Sequence, residues 1–237
     1  MTMPDPRPEA PLGAPTGPDD PITSRLSVRV RAVAGAACCL SGAALVVHIL
    51  TGSPLWLALT GLGFAASLSV AVVAVNEPSA LGRLRALVGR GLVVGVAGTA
   101  VYDASRWLLV QAGGLELSPF EALPLFGQAL LGEDRTGLLV TVAGIAYHLV
   151  NGIAFGVAYV IWFGDRRWWW GIAFAFGLEA FMLALYPGWL DPASIAELTQ
   201  VSLVGHVAYG ATLGGLAAWL AGRDRSMTDR TAAMGTP

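Results

Sequence analysis

Six continuous apolar stretches dominate the sequence, and each is long enough to cross a lipid bilayer as a helix. A hydrocarbon core about 30 Å thick requires about 20 helical residues. Strands are a poor alternative, because no stretch alternates with polar residues and a backbone in hydrocarbon must satisfy its own hydrogen bonds. The sequence therefore predicts an all-α polytopic membrane protein, a six-helix transmembrane bundle with spans near 30–51, 54–76, 87–112, 137–163, 168–188 and 196–221.

The composition agrees with a membrane protein and excludes an ordinary soluble domain. Hydrophobic residues make up 55% of the 237 positions and charged residues only 13%, whereas soluble domains carry about 25% charged residues. No basic patch outside the two tails is large enough for nucleic acid. The predicted partner is therefore the lipid bilayer, and nucleic acid is not expected.

The arginines predict how the bundle is oriented. All 14 basic residues are arginine, and 12 of them fall on one side of a six-span arrangement. The positive-inside rule makes that side cytoplasmic, so both termini are predicted to be cytoplasmic. Only Arg106 and Arg135 fall elsewhere.

The same arrangement divides the chain into three parts. Residues 1–29 form a cytoplasmic N-terminal tail, 30–222 the six-helix transmembrane domain and 223–237 a cytoplasmic C-terminal tail. The first 24 residues are rich in proline, glycine and acid, which predicts disorder. They lack the short apolar region and cleavage site of a signal peptide.

The predicted external connection over residues 113–136 is unusually long and partly apolar. The segment from Pro119 to Leu131 fits an interfacial helix or a re-entrant segment over the outer mouth of the bundle. A plain surface linker is the alternative.

Ionisable residues inside the spans mark the candidate site. In a membrane helix such residues are costly and usually face a partner, the bundle interior or a water-filled path. At a rise of about 1.5 Å per residue, all of them lie about 9–15 Å from the outer ends of their helices. Four different helices thus deliver polar groups to one layer in the outer half of the membrane. These residues are Asp103, Arg106, His148, Glu179 and His206.

Neighbouring residues extend this layer. Asp103 and Arg106 are three apart on one helical face, which favours an intrahelical ion pair. Four further side chains are placed to complete a hydrogen-bonded network: Tyr102, Tyr147, Asn151 and Tyr209. His48 lies nearer the outer end of its span and is left outside this group.

Both histidines of the layer precede the same glycine pattern. His148 is followed by Gly152 and Gly156, and His206 by Gly210 and Gly214. Glycines four and eight residues after each histidine share its helical face and let helices pack closely. The pattern therefore predicts that the two histidines lie on matching close-packed faces.

Three interpretations of the layer remain open. Zinc, iron or manganese would suit a ligand set of His148, His206 and Glu179, with Asp103 as a further ligand, and the two histidines would suit a haem. Such a site would belong to a metal-binding protein or an enzyme acting on a lipophilic substrate. The second interpretation is proton or ion handling. The third is a structural layer in a non-catalytic accessory subunit, whether in a homo-oligomer or beside a membrane-complex partner.

These interpretations predict different environments for the layer. Transport predicts a water-filled path, an enzyme predicts a closed pocket with a bound metal, and an accessory subunit predicts a dry, fully paired layer. The sequence identifies no catalytic residue. The adjacent Cys38 and Cys39 imply no disulfide framework and are most simply small apolar fillers.

From the fourth span onward the sequence resembles the YagU-like family of bacterial inner-membrane proteins. The resemblance covers about 80 residues and is carried by short landmarks: His148, Phe155-Gly156, Tyr159, Trp169 or Trp170 before Gly171, Pro187 and Gly205-His206. It implies a multi-pass protein of a bacterial plasma membrane. Its loose connection to acid tolerance is compatible with a proton-linked role.

Overall fold

The computed structural model describes residues 26–164 and 166–234, with the side chains of Arg225 and of residues 227–234 left aside. All regular secondary structure in this part of the chain is helical. Most of the N-terminal tail predicted to be disordered lies outside the described residues. The helices are α1 (Val28–Cys38), α2 (Leu40–Thr51), α3 (Leu55–Asn76), α4 (Ala80–Gly113), α5 (Ala122–Leu131), α6 (Leu138–Phe163), α7 (Trp170–Leu190) and α8 (Ile195–Met234).

Five of these helices are long and apolar enough to cross a membrane, and α1 with α2 makes a sixth if the pair counts as one span. The described chain is therefore all-helical and compatible with the predicted membrane bundle. The helices coincide with the six predicted stretches, although α4 begins earlier than 87 and α8 continues to Met234, beyond 221.

The first predicted span is not one continuous helix, which corrects the expectation of an unbroken helix over 30–51. The chain bends by 54° between α1 and α2. Cys39 lies at the bend, where its N–H donates to the Ala36 carbonyl oxygen and leaves the regular α-helical pattern. The two halves pack against different helices: α1 packs along α6, whereas α2 packs mainly on α3.

The external connection contains the short helix α5, so it is not a plain linker. This helix lies closely against α6, because Gly127 meets the backbone of Val140 and Gly144 meets the backbone of Leu123. A Cβ at either glycine would collide with that backbone. The ten residues of α5 are too few to span a bilayer.

The glycines that follow each histidine form close helix contacts. Gly156 of α6 lies against Gly95 of α4, and Gly210 and Gly214 of α8 lie against the start of α7 at Gly171. Small residues at these positions let the backbones approach, as is usual for membrane helices. The glycines that follow His148 thus pack α6 against α4, and those that follow His206 pack α8 against the start of α7.

The innermost core lies among α4, α6, α7 and α8, where Tyr159, Leu213 and Val94 are fully buried. Helix α3 is peripheral and exposes large apolar side chains such as Phe64 and Leu68. An apolar exterior of this extent is typical of a helix that faces lipid.

Candidate functional site

The first half of the polar layer is a histidine–carboxylate pair between α4 and α6. His148 Nε2 lies 2.9 Å from Asp103 Oδ1 and 3.1 Å from Oδ2, so an N–H at this position donates to both carboxylate oxygens. Both side chains keep some exposure. The close approach of Gly156 to Gly95 two turns further along the same helices sets the spacing for this pair.

The second half is a buried triad between α7 and α8. His206 Nδ1 lies 2.7 Å from Glu179 Oε2, and the Ser202 hydroxyl donates to the same oxygen at 2.7 Å. His206 Nδ1 also lies 3.0 Å from the backbone carbonyl oxygen of Ser202. Glu179 Oε1 is buried and has no hydrogen-bond partner in the described part of the chain. His206 and Ser202 therefore both contact Oε2 of Glu179, and Oε1 remains an acceptor without a donor.

Tyr102 of α4 lies between the two halves. Its ring centroid is 6.1 Å from that of His148 and 5.1 Å from that of His206. Residues of α4, α6, α7 and α8 therefore meet at one level of the bundle, as the depth argument predicted. The two histidines are joined through an aromatic ring and are not in direct contact.

Arg106 does not form the predicted intrahelical pair with Asp103. Its guanidinium carbon lies 5.0 Å from the centre of the Tyr102 ring, a cation–π contact. Gly205 of α8 makes room for it, since a Cβ there would lie 2.8 Å from Arg106 Cγ. Asp103 is turned toward His148 instead, which supplies a donor from a neighbouring helix.

The other predicted network members connect helices and do not contact the charged groups through hydrogen bonds. The Tyr147 hydroxyl donates to the Ser41 carbonyl oxygen at 2.7 Å, and the Ser41 hydroxyl donates to Asn151 at 2.7 Å. Tyr209 donates to the Gly152 carbonyl oxygen at 2.6 Å. The sequence predicted one continuous network. The structure instead has two separate histidine–carboxylate pairs, with hydrogen bonds of Tyr147, Asn151 and Tyr209 between helices beside them.

Two smaller predictions can be compared with the same contacts. His48 lies apart from the layer, with Nδ1 2.7 Å from the Ser53 carbonyl oxygen and its ring edge-on to Trp189. Across the described residues, no group of three or more His, Cys, Asp or Glu side chains is arranged to hold a metal ion. The four proposed ligands fall into two separate pairs, so the metal interpretation gains no support from the geometry.

A cavity of about 600 Å³ lies against this layer. Its volume is within the range of about 300–1,000 Å³ typical of small-molecule sites. Arg106, His148 and His206 contribute to one part of its lining, and most of the remaining wall is apolar or aromatic, including Phe155, Trp162 and Phe174. An apolar chamber with a few convergent polar groups is the usual form of a ligand site.

The bend at Cys39 lies beside this cavity. Residues between Cys39 and Val47 line it on one side, and α7 contributes residues from Phe174 to Leu190. Val47 of α2 and Phe181 of α7 both line the cavity and are 37% and 70% exposed. The cavity therefore opens sideways between α2 and α7, at the apolar exterior of the bundle. The start of α5, with Phe120 and Leu123, covers the end near Arg106.

Two polar residues at the site, Ser202 and Glu121, were not predicted from the sequence. Ser202 lies one helical turn before His206, a spacing that identifies a shared face. Glu121 precedes α5, and its Oε1 is buried without a hydrogen-bond partner in the described structure. Burial raises the pKa of Glu121, and the nearby positive charge of Arg106 opposes that rise. Its position in an external connection gave no signal that it would face the layer.

Comparison with known proteins yields one result. A profile described as "Family of unknown function (DUF6789)" matches residues 84–228, more than half of the chain. The protein therefore belongs to this family, and the matched region contains both histidine–carboxylate pairs. Neither the curated proteins nor the solved structures give a match. The resemblance to the YagU-like family stays a prediction.

Proposed function

We propose that this member of the DUF6789 family is an integral protein of a bacterial plasma membrane that binds a lipophilic molecule beside its buried polar layer. The observation that carries the proposal is the sideways-opening apolar cavity that meets Arg106, His148 and His206. A lipophilic substrate entering between helices is also what the enzyme interpretation of the layer requires.

Insertion with both termini in the cytoplasm is supported by the helices and the arginines together. The long apolar helices expose large apolar side chains on their outer surfaces. Twelve of the 14 arginines fall on the side assigned to the cytoplasm. Reporter fusions at each terminus and after residue 132 test this topology. Cytoplasmic signals at both termini with an external signal at 132 are expected, and any other combination contradicts it.

The lining of the cavity favours a lipophilic ligand over a hydrated ion. An ion path requires polar groups along its whole length to replace the hydration shell of the ion. Here the polar groups are confined to one part, and the wall contributed by Phe155, Trp162 and Phe174 is aromatic. Because the opening faces the apolar exterior, a molecule dissolved in the membrane reaches the polar layer without crossing water.

Retention of an apolar ligand by the purified protein tests this function. Molecules released by organic extraction are quantified by mass spectrometry for the wild type and two variants. Ala43→Phe places a ring in the cavity wall and should reduce the bound ligand. Ala71→Phe, on the exposed surface of α3, is the matched control and should not. Equal retention by all three proteins would contradict binding in the cavity.

Proton handling is a second candidate, favoured by the two histidine–carboxylate contacts of 2.9 and 2.7 Å. Imidazole and carboxylate are the usual members of intramembrane proton relays. Liposomes with an imposed pH gradient and a trapped pH-sensitive dye test it. Faster collapse with the wild type than with Glu179→Gln is expected, and identical rates would remove this candidate.

A further inference from the structure

We infer that the ligand is a single-chain amphiphile whose anionic head binds Arg106 and whose tail lies along the cavity toward Trp162. This inference rests on the proposed function, because it names the chemical class of the molecule in the same cavity. Three observations support it: Arg106 in the cavity wall has no salt-bridge partner among the described residues, the wall is long enough for one chain, and the cavity volume suits a single chain.

Arg106 lacks a strong anionic partner among the residues that the structure describes. No carboxylate forms a salt bridge with it in the described part of the chain, and its Nε is buried without a hydrogen-bond partner. Asp103 is held by His148, and Glu179 by His206 and Ser202. A guanidinium stays charged at any physiological pH and binds carboxylate or phosphate through paired hydrogen bonds. An anionic head group would supply the acceptors that Arg106 lacks.

The apolar wall is long enough to hold one lipid chain. From His148 to Trp162, both lining the cavity, α6 rises about 21 Å at 1.5 Å per residue. The chains of one leaflet extend over about half of a 30 Å hydrocarbon core, roughly 15 Å. A single chain of that length therefore fits along this wall, with its head at the polar layer and its tail directed toward Trp162.

The volume and the opening favour one chain over two. A cavity of about 600 Å³ accommodates one chain with a small head, whereas a phospholipid carries two chains and a bulky head group. The opening between Val47 and Phe181 admits a molecule from the side, so the chain never leaves apolar surroundings. Pro119 and Phe120 cover the head-group end.

Glu121 is the acidic group whose charge acts on Arg106, and it faces the same end of the site. An anionic head must therefore be bound in competition with this carboxylate. Removing the charge with Glu121→Gln should strengthen the binding of an anionic ligand and leave that of a neutral one unchanged.

The test compares two radiolabelled ligands, hexadecanoate and hexadecanol, which share a chain and differ in head-group charge. The full chain is placed in phosphatidylcholine nanodiscs at pH 9, and empty nanodiscs give the background. The wild type should bind hexadecanoate roughly tenfold or more tightly than hexadecanol, as expected for charge-assisted hydrogen bonds. Arg106→Gln should abolish this preference, whereas Arg135→Gln, an exposed arginine outside the cavity, should preserve it.

The outcomes separate the inference from the function on which it rests. Equal binding of both ligands to the wild type would overturn the anionic head while leaving a lipophilic site in place. Binding of neither ligand would overturn the proposed function as well. Competition by two-chain phosphatidate as strong as that by hexadecanoate would overturn the single chain. If Arg106→Gln does not fold, Arg106→Lys keeps the charge and should retain the preference, and its loss there would count against a charge-based site.

Discussion

Replacement of His206 by alanine should destabilise the folded protein far more than replacement of His148. The side chains of His206 and Glu179 are 9% and 3% exposed, whereas those of His148 and Asp103 are 18% and 25% exposed. Removing one member of a buried pair leaves its partner uncompensated and typically costs about 3–5 kcal/mol. A partly exposed pair contributes about 1 kcal/mol or less.

A double replacement separates the cost of an unpartnered buried carboxyl group from simple loss of packing. Glu179→Leu with His206→Leu removes both polar groups and fills their space with apolar atoms. Buried ion pairs replaced in this way often leave stability unchanged or higher. The double variant should therefore recover most of the stability that His206→Ala loses.

Unfolding in mixed micelles of increasing denaturing-detergent fraction, followed by circular dichroism, measures these differences. Reversibility is checked by dilution back into mild detergent. Equal losses of unfolding free energy for His206→Ala and His148→Ala would show that burial does not determine the cost of removing the histidine. A double variant less stable than His206→Ala would refute the assignment of the cost to an unpaired carboxyl group.

Further predictions follow from the glycine contacts and the acidic residue beside Arg106. Gly156→Ala forces a Cβ against Gly95 and should cost about 1–3 kcal/mol, whereas Gly177→Ala points into open space and should leave the thermal midpoint unchanged or slightly raised. Because burial raises the pKa of Glu121, the wild type loses stability as pH rises through that pKa. Glu121→Gln should therefore have the higher thermal midpoint at pH 7–8 and match the wild type near pH 3.

The helices were predictable because the bilayer imposes a strong length and polarity requirement on the sequence. Uninterrupted apolar stretches gave the positions of α3, α6 and α7 to within two residues at each end. The bend at Cys39 gave no such signal, since neither Pro nor a polar gap interrupts the chain there. It arises because α1 and α2 pack against different helices, and that choice depends on tertiary contacts.

The site was predictable as a layer but not as a set of partners. Helical rise alone placed His148 and His206 at the same depth, and the structure brings them to opposite sides of Tyr102. Spacing suggested that Asp103 would pair with Arg106, but a histidine on α6 offers the carboxylate a better-placed donor. Which helix lies beside which is fixed by the glycine contacts, and these cannot be paired from one sequence.

Photo-crosslinking tests most directly whether the cavity is a binding site for a lipophilic molecule. Hexadecanol and hexadecanoate carrying a diazirine at mid-chain are illuminated with the protein in phosphatidylcholine nanodiscs, and the adducts are mapped by mass spectrometry. Adducts are expected on the cavity lining, at residues 42–47 of α2 and 178–182 of α7, and excess unlabelled ligand should suppress them. Adducts spread over the exposed face of α3 and unaffected by competitor would show only contact with bulk lipid and would contradict the proposed function.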